Sequence, residues 1–128
     1  MPITIELREN GYVLYSRLTD PVPVNEFKAA FIPQQEYLDQ AGHKLHILVD
    51  ISQHKSPPPG ALASARQTPV LRHPNSGEVV FVGASIFMQA LSSAVSRLTR
   101  FDRLTFFDTE AEAWDYLRRV IKESQVQR

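Results

Sequence analysis

The stretch Leu45 to Ile51, LHILVDI, is apolar at nearly every position, and it decides the fold class. A half-solvated strand alternates apolar and polar residues, whereas a strand covered on both faces has a nearly continuous apolar run. Two more short runs share this composition, Glu78 to Val82 (EVVFV) and Leu104 to Phe107 (LTFF). Segments with helical spacing separate the three runs. The pattern predicts an α/β domain with helices on both faces of its sheet, and with the first two runs as its central strands.

The N-terminal segment predicts an antiparallel hairpin beside these strands. Polarity alternates from Ile3 to Leu7, and Asn10-Gly11 favours a tight type I′ turn because both residues tolerate positive φ. Tyr12 to Leu18 is the predicted return strand. The predicted order is therefore β-β-α-β-α-β-α-β-α, in a mixed, mostly parallel sheet with an N-terminal antiparallel β-hairpin.

The helical segments carry apolar stripes that face the sheet. The first stripe consists of Phe27, Phe31 and Leu38. Pro33 interrupts it, which predicts a kink or two short helices, and a further short helix is predicted over 61–67. The next stripe consists of Phe87, Leu91, Ala94 and Leu98. Its apolar surface also suggests self-association, so that a homodimer is one alternative. The last helix begins with a capping box at Thr109 and Glu112, and we expect Trp114 on its core side.

Length and composition favour one domain over residues 1–123, followed by a flexible tail at 124–128. Fourteen basic and fourteen acidic residues give a formal charge of zero, without the electrostatic footprint of a nucleic-acid binder. There is no cysteine, no signal-peptide pattern, and no apolar run near the roughly 18 residues of a membrane helix. We therefore expect a cytoplasmic protein that has neither a nucleic-acid partner nor a membrane insertion.

Two residues at predicted strand ends are candidates for chemistry or binding. Asp50 ends a buried strand, where open parallel sheets bind ligands, although it could equally hold the next loop through amide hydrogen bonds. Ser85 lies between a strand and a helix, as hydrolase nucleophiles do. The required second glycine is replaced by Phe87, and capping of the helix is the alternative role for Ser85.

Metal and cofactor chemistry have little support in the sequence. His43 and His46 are three residues apart at a strand entry, so they point to opposite faces, and His54 and His73 lack neighbouring ligands. The phosphate-binding glycine motifs do not occur. We expect no metal and no cofactor.

Four segments carry a resemblance to a known family. They are LHILVDIS (45–52), Gly60-Ala61-Leu62, EVVFVGAS (78–85) and LTFFDTEAEAWDYL (104–117). In this order, between Ile3 and Ile121, they resemble the STAS fold of bacterial anti-sigma-factor antagonists, and the closer match is the broader SpoIIAA-like family. The resemblance implies a bacterial, non-enzymatic binding or regulatory module.

The chain departs from that family at the site of its phosphorylation switch. Antagonists carry D-S-S-G or D-S-T-G, and a kinase phosphorylates the hydroxyl residue before the glycine. Aligning that glycine with Gly60 places the prolines of 57–59 over the Asp-Ser-Ser positions, so the switch cannot operate there. Ser52 and Ser56 lie nearby but outside the acceptor position.

The sequence thus supports two interpretations. In the first, a protein partner or small ligand binds at the sheet edge near the proline-rich loop 54–60, with Asp50, Ser52, Ser56, Gly60 and Ser85 as candidate contacts. Three successive prolines predict a preformed, polyproline-like recognition loop there, or else a stiff connector. In the alternative, a small enzyme or nucleotide-binding protein uses Asp50 and Ser85 at the same edge.

Overall fold

The computed structural model describes residues 3–19, 22–53 and 70–126. These residues form a five-stranded sheet and four helices. The strands are β1 (Ile3–Arg8), β2 (Val13–Thr19), β3 (Leu45–Gln53), β4 (Ser76–Val82) and β5 (Leu104–Phe107). The helices are α1 (Val24–Ala29), α2 (Phe31–Gln40), α3 (Ile86–Thr99) and α4 (Glu110–Val126). The predicted helix over 61–67 and the loop 54–60 lie outside the described residues.

The sheet is mixed and mostly parallel, which confirms the predicted fold class. Its strand order is β1-β2-β3-β4-β5, with β1 antiparallel to β2 and the remaining pairs parallel. The predicted central strands, β3 and β4, are both interior. The β5 strand was predicted to be buried, but it is only partly buried because it forms the edge of the sheet.

The hairpin turn is longer than the predicted two-residue type. Arg8 pairs with Val13, so four residues form the loop. Within it, Glu9, Asn10 and Gly11 have φ values of 55°, 57° and 84°. The prediction identified the residues that accept positive φ, but it missed that Glu9 also adopts this conformation.

Two opposite faces of the sheet are covered by different helices. Each parallel connection steps one strand further in the same direction, and right-handed connections of this kind place their helices on one face. Accordingly, α1, α2 and α3 pack on what we call the crossover face. Helix α2 contacts the cluster of Leu14, Ile47 and Val79, and α1 and α3 contact the cluster of Leu18 and Ile51. The terminal helix α4 covers the other face, which we call the α4 face.

The α4 face has a core built around the last helix. Trp114, Leu117 and Ile121 pack there with Leu48 and Val80, and Trp114 is 9% exposed, as predicted for a docked residue. The capping box is also present: the Glu112 N–H donates to Thr109 Oγ1 at 3.3 Å. The helix continues to Val126, so residues 124–126 are helical and do not belong to the predicted tail.

On the crossover face, two predicted features can be compared with the structure. Pro33 was predicted to produce a kink or two short helices, and α1 and α2 are indeed separate, with the break at Ala30. The predicted stripe of α3 was correct only in part: Leu91 packs against the core, but Leu98 is 52% exposed, and the buried side of the helix is formed by Met88, Ser92 and Val95. The helix begins at the Ser85 cap and ends at a left-handed turn at Arg100, which returns Phe101 to the core.

Candidate functional site

Polar side chains gather on the α4 face where β2 and β3 approach their carboxyl ends. Arg17 of β2 is the register partner of Asp50 of β3, so the two side chains emerge side by side on this face. Glu110, the first residue of α4, lies next to them and pairs with Arg17. We call this group the carboxyl-edge cluster; it comprises Tyr15, Arg17, Asp50, Ser52 and Glu110.

Asp50 is the buried acid of the cluster. It is 3% exposed, and its Oδ1 accepts hydrogen bonds from the backbone N–H of Ser52 at 3.0 Å and from the Ser52 hydroxyl at 2.6 Å. The predicted strand end at Asp50 was too early, since β3 continues to Gln53. The register between β2 and β3 shifts just after Asp50, because Ile51 and Ser52 of β3 both lie opposite Leu18 of β2. Ser52, which donates to Asp50, is therefore part of a β-bulge.

The surroundings of Asp50 favour its ionised form. Burial acts to raise its pKa, but hydrogen bonding that involves Glu110 and Ser52, together with the Arg17 charge, holds the pKa of Asp50 below its ordinary value. A carboxylate with a lowered pKa is a weak base at neutral pH. Asp50 is therefore better suited to act as a fixed negative charge than to abstract a proton from a ligand.

Arg17 is the accessible cation of the cluster. Its guanidinium lies 3.6 Å from Asp50 Oδ2 and 3.6 Å from Glu110 Oε2, and its side chain is 53% exposed. Charge-assisted hydrogen bonds between nitrogen and oxygen are usually about 2.7–2.9 Å long, so both pairs are loose. The electrostatic effect of Tyr15, which is the larger, and that of Asp50 raise the pKa of Arg17, so the guanidinium stays charged.

Glu110 connects the cluster to the α4 core. Its Oε2 accepts the Tyr15 hydroxyl at 2.8 Å, and its Oε1 accepts the Trp114 indole N–H at 3.3 Å. Burial, followed by this hydrogen bond to Glu110, raises the pKa of Tyr15 to about 12. Tyr15 therefore remains protonated at neutral pH, and its hydroxyl donates the hydrogen bond that orients Glu110.

A glycine allows the close approach of two strands at this edge. Gly83 follows β4 with φ of +70°, and a Cβ atom built on it would lie 2.6 Å from Ser52 Cβ and 2.8 Å from Ser52 Cα. Real Cβ atoms essentially never come this close. The absence of a side chain at Gly83 thus leaves room for the Ser52 backbone in the position from which it donates to Asp50.

The structure separates the candidate residues predicted from the sequence. It brings Ser52 to Asp50, but it gives Ser85 a different role: the Met88 N–H donates to Ser85 Oγ at 3.2 Å, so Ser85 caps α3. Ser56 and Gly60 lie outside the described residues, as does the rest of loop 54–60.

Three members of the cluster were not predicted from the sequence: Tyr15, Arg17 and Glu110. Alternation in β2 shows that Tyr15 and Arg17 share a face. Only the parallel register with β3 shows that this face also carries Asp50.

A second group of titratable side chains lies towards the amino ends of β3 and β4. The Glu78 backbone N–H donates to His46 Nδ1 at 2.9 Å, and the Tyr116 hydroxyl donates to Glu78 Oε1 at 2.7 Å. Burial lowers the pKa of His46, so the ring is neutral. His43 instead stacks on Tyr12, with ring centroids 4.2 Å apart. Over residues 3–19, 22–53 and 70–126, no three His, Cys, Asp or Glu side chains are grouped to hold a metal ion.

No protein-family model matches this chain, and no curated protein matches it either. The resemblance to the SpoIIAA-like family stays a prediction. Within the described part of the chain, no helix has the length and apolar character needed to cross a membrane.

Proposed function

We propose that this chain is a non-enzymatic binding module, similar to the SpoIIAA-like family but without its serine switch. It engages a protein partner or a small ligand at the carboxyl edge of the sheet. The observation that carries the proposal is the position of Arg17, a half-exposed cation held loosely between Asp50 and Glu110. Open sheets with parallel strands bind ligands at this edge.

The groups that could catalyse a reaction here already have structural partners. The Ser85 hydroxyl caps a helix, and the Ser52 hydroxyl donates to Asp50. Asp50 has a lowered pKa and Tyr15 a raised one, which is opposite to the shifts that prepare a general base or a nucleophile near neutral pH. These features favour recognition over turnover.

The exposed guanidinium of Arg17 favours a ligand or partner that carries a negatively charged group. A guanidinium has five N–H donors in a planar fork that matches carboxylate and phosphate oxygens. Because its two ion pairs are long, a carboxylate or phosphate group of the ligand or partner can form shorter hydrogen bonds to it. Asp50 and Glu110 then act as a fixed support that orients the guanidinium.

The binding test uses acetate and inorganic phosphate as probes, followed by ¹H–¹⁵N NMR. We expect saturable shifts at the amides of Arg17, Ser52 and Gly83, and loss of these shifts in Arg17→Gln. The matched control is Arg118→Gln, because Arg118 has a similar side-chain exposure of 56% but is paired with Glu9, which is not a member of the cluster. Shifts that are absent in wild type, or that survive in Arg17→Gln, would exclude this edge as the anion site.

A separate measurement addresses the enzymatic alternative. Wild type and Ser85→Ala are incubated with p-nitrophenyl acetate and p-nitrophenyl phosphate. We expect neither protein to release p-nitrophenol above the rate without protein. Turnover by wild type that disappears in Ser85→Ala would replace the binding module with a hydrolase.

A further inference from the structure

The crossover face contains a cavity that the carboxyl-edge cluster does not use. It has a volume of about 150 Å³ and lies between the sheet and helices α1, α2 and α3. Most of its lining is apolar, including Phe31, Val49, Phe81 and Leu91. The space is partly open to the surface, so its apolar lining is accessible to a ligand of suitable size.

The floor of the cavity carries an unpaired hydroxyl. Ser16 of β2 lines the cavity and is 2% exposed, and its Oγ is a buried atom that has no hydrogen-bond partner among the described residues. Leaving a buried hydroxyl unsatisfied costs free energy, and native proteins rarely do so. The Ser96 hydroxyl, which also lines the cavity, differs because it donates to the Phe101 carbonyl.

Small residues create the space. The strand neighbours of Ser16 on this face, Leu14 and Leu18, are both large and buried, whereas Ser16 leaves room above the sheet. Ser92 of α3 is another small residue in the lining. The space is thus bounded by apolar side chains, with one hydroxyl available for a hydrogen bond.

We propose that this cavity binds a compact apolar molecule, the size of one aromatic ring, whose single hydroxyl or carbonyl group hydrogen-bonds to Ser16 Oγ. Size and polarity both support this ligand class. An engineered apolar cavity of similar volume binds benzene. A ligand with one polar group also satisfies the hydroxyl that the protein leaves unpaired. This site lies on the opposite sheet face from the anion site proposed above, so the two are independent.

The test compares phenol with toluene, which has a similar shape but no hydroxyl. Affinities are measured by NMR titration for wild type and for Ser16→Ala, a change that removes the hydroxyl and little volume. We expect Ser16→Ala to bind phenol about fivefold more weakly, as loss of one neutral hydrogen bond implies, and to bind toluene with unchanged affinity. Equal phenol affinity in the two proteins would overturn the role of Ser16.

A second variant tests the location. Ser92→Leu places a larger side chain in the cavity on a helix that tolerates leucine, and it should abolish binding of both probes while the protein stays folded by circular dichroism. Ser93→Leu, the same change at the adjacent exposed position of α3, serves as the control and should leave both affinities unchanged. Failure of both probes to bind wild type would overturn the proposal. So would binding that survives in Ser92→Leu.

Discussion

Replacing Gly83 by alanine should disrupt the carboxyl edge through one added carbon atom. The new Cβ would meet the Ser52 Cβ at 2.6 Å and the Ser52 Cα at 2.8 Å, and the second of these atoms belongs to the backbone of β3. Because a backbone atom cannot rotate away, β3 or β4 must shift. Any such shift moves the Ser52 N–H and hydroxyl that donate to Asp50.

Two separate costs make up the expected destabilisation of Gly83→Ala. The backbone has φ of +70° at this position, and a left-handed conformation costs an L-residue about 1–2 kcal/mol. Overpacking of a filled site adds about 1–3 kcal/mol. The free energy of unfolding should therefore fall by about 2–5 kcal/mol, a large part of the roughly 5–15 kcal/mol that stabilises a typical domain. At this chain length, each 1 kcal/mol lowers the melting temperature by about 4 °C.

Two other glycines provide matched controls in urea denaturation. Gly11 has φ of +84° but nothing within 4 Å of its added Cβ, so Gly11→Ala should show the conformational cost alone, about 1–2 kcal/mol. Gly42 has neither positive φ nor a close neighbour, and Gly42→Ala should be neutral or stabilising by up to about 1 kcal/mol. Equal destabilisation by Gly83→Ala and Gly11→Ala would refute the close approach of Gly83 to Ser52.

Further predictions concern three buried side chains. Burial lowers the pKa of His46 below 6.5, so the unfolded chain takes up a proton first as the pH falls. Stability should then decline below about pH 6.5 in wild type and decline less in His46→Asn, as measured by melting temperature against pH. Tyr15 should titrate near 12 in ultraviolet absorbance, and Glu110→Gln should lower that pKa because it removes the charge beside the phenol. Trp114→Ala should cost about 3–5 kcal/mol in urea denaturation, and the native indole should be shielded from iodide.

The strands could be predicted because a buried segment has a recognisable, mostly apolar composition of its own. The run at 45–51 is buried or partly buried on both faces since helices cover both, and Trp114 belongs to an apolar stripe that needs only one docking surface. The rotation of α3 could not be predicted in this way. The predicted stripe and the buried one are equally regular and are offset by one residue, so that Leu91 packs against the core while Leu98 is exposed, and only the tertiary packing of α3 distinguishes the two.

The candidate site was only half predictable for a related reason. Asp50 is conspicuous in sequence because a charge interrupts an apolar strand, and Ser52 lies close to it along the chain. Arg17 and Glu110 come from distant segments, and the register of β2 on β3 and the return of α4 across the sheet bring them together. Pairing between strands depends on tertiary packing, which periodicity in one segment does not record.

The most direct test of the proposed binding module is the pKa of Asp50, measured by NMR titration of its side-chain carboxyl carbon. If the cluster holds a fixed charge for recognition, the carboxyl titrates below 3.8 in wild type. Ser52→Ala and Arg17→Gln should each raise that pKa, because each removes a group that stabilises the carboxylate. An Asp50 carboxyl that titrates near neutral pH would contradict the account, since that is the property of a general base in an active site.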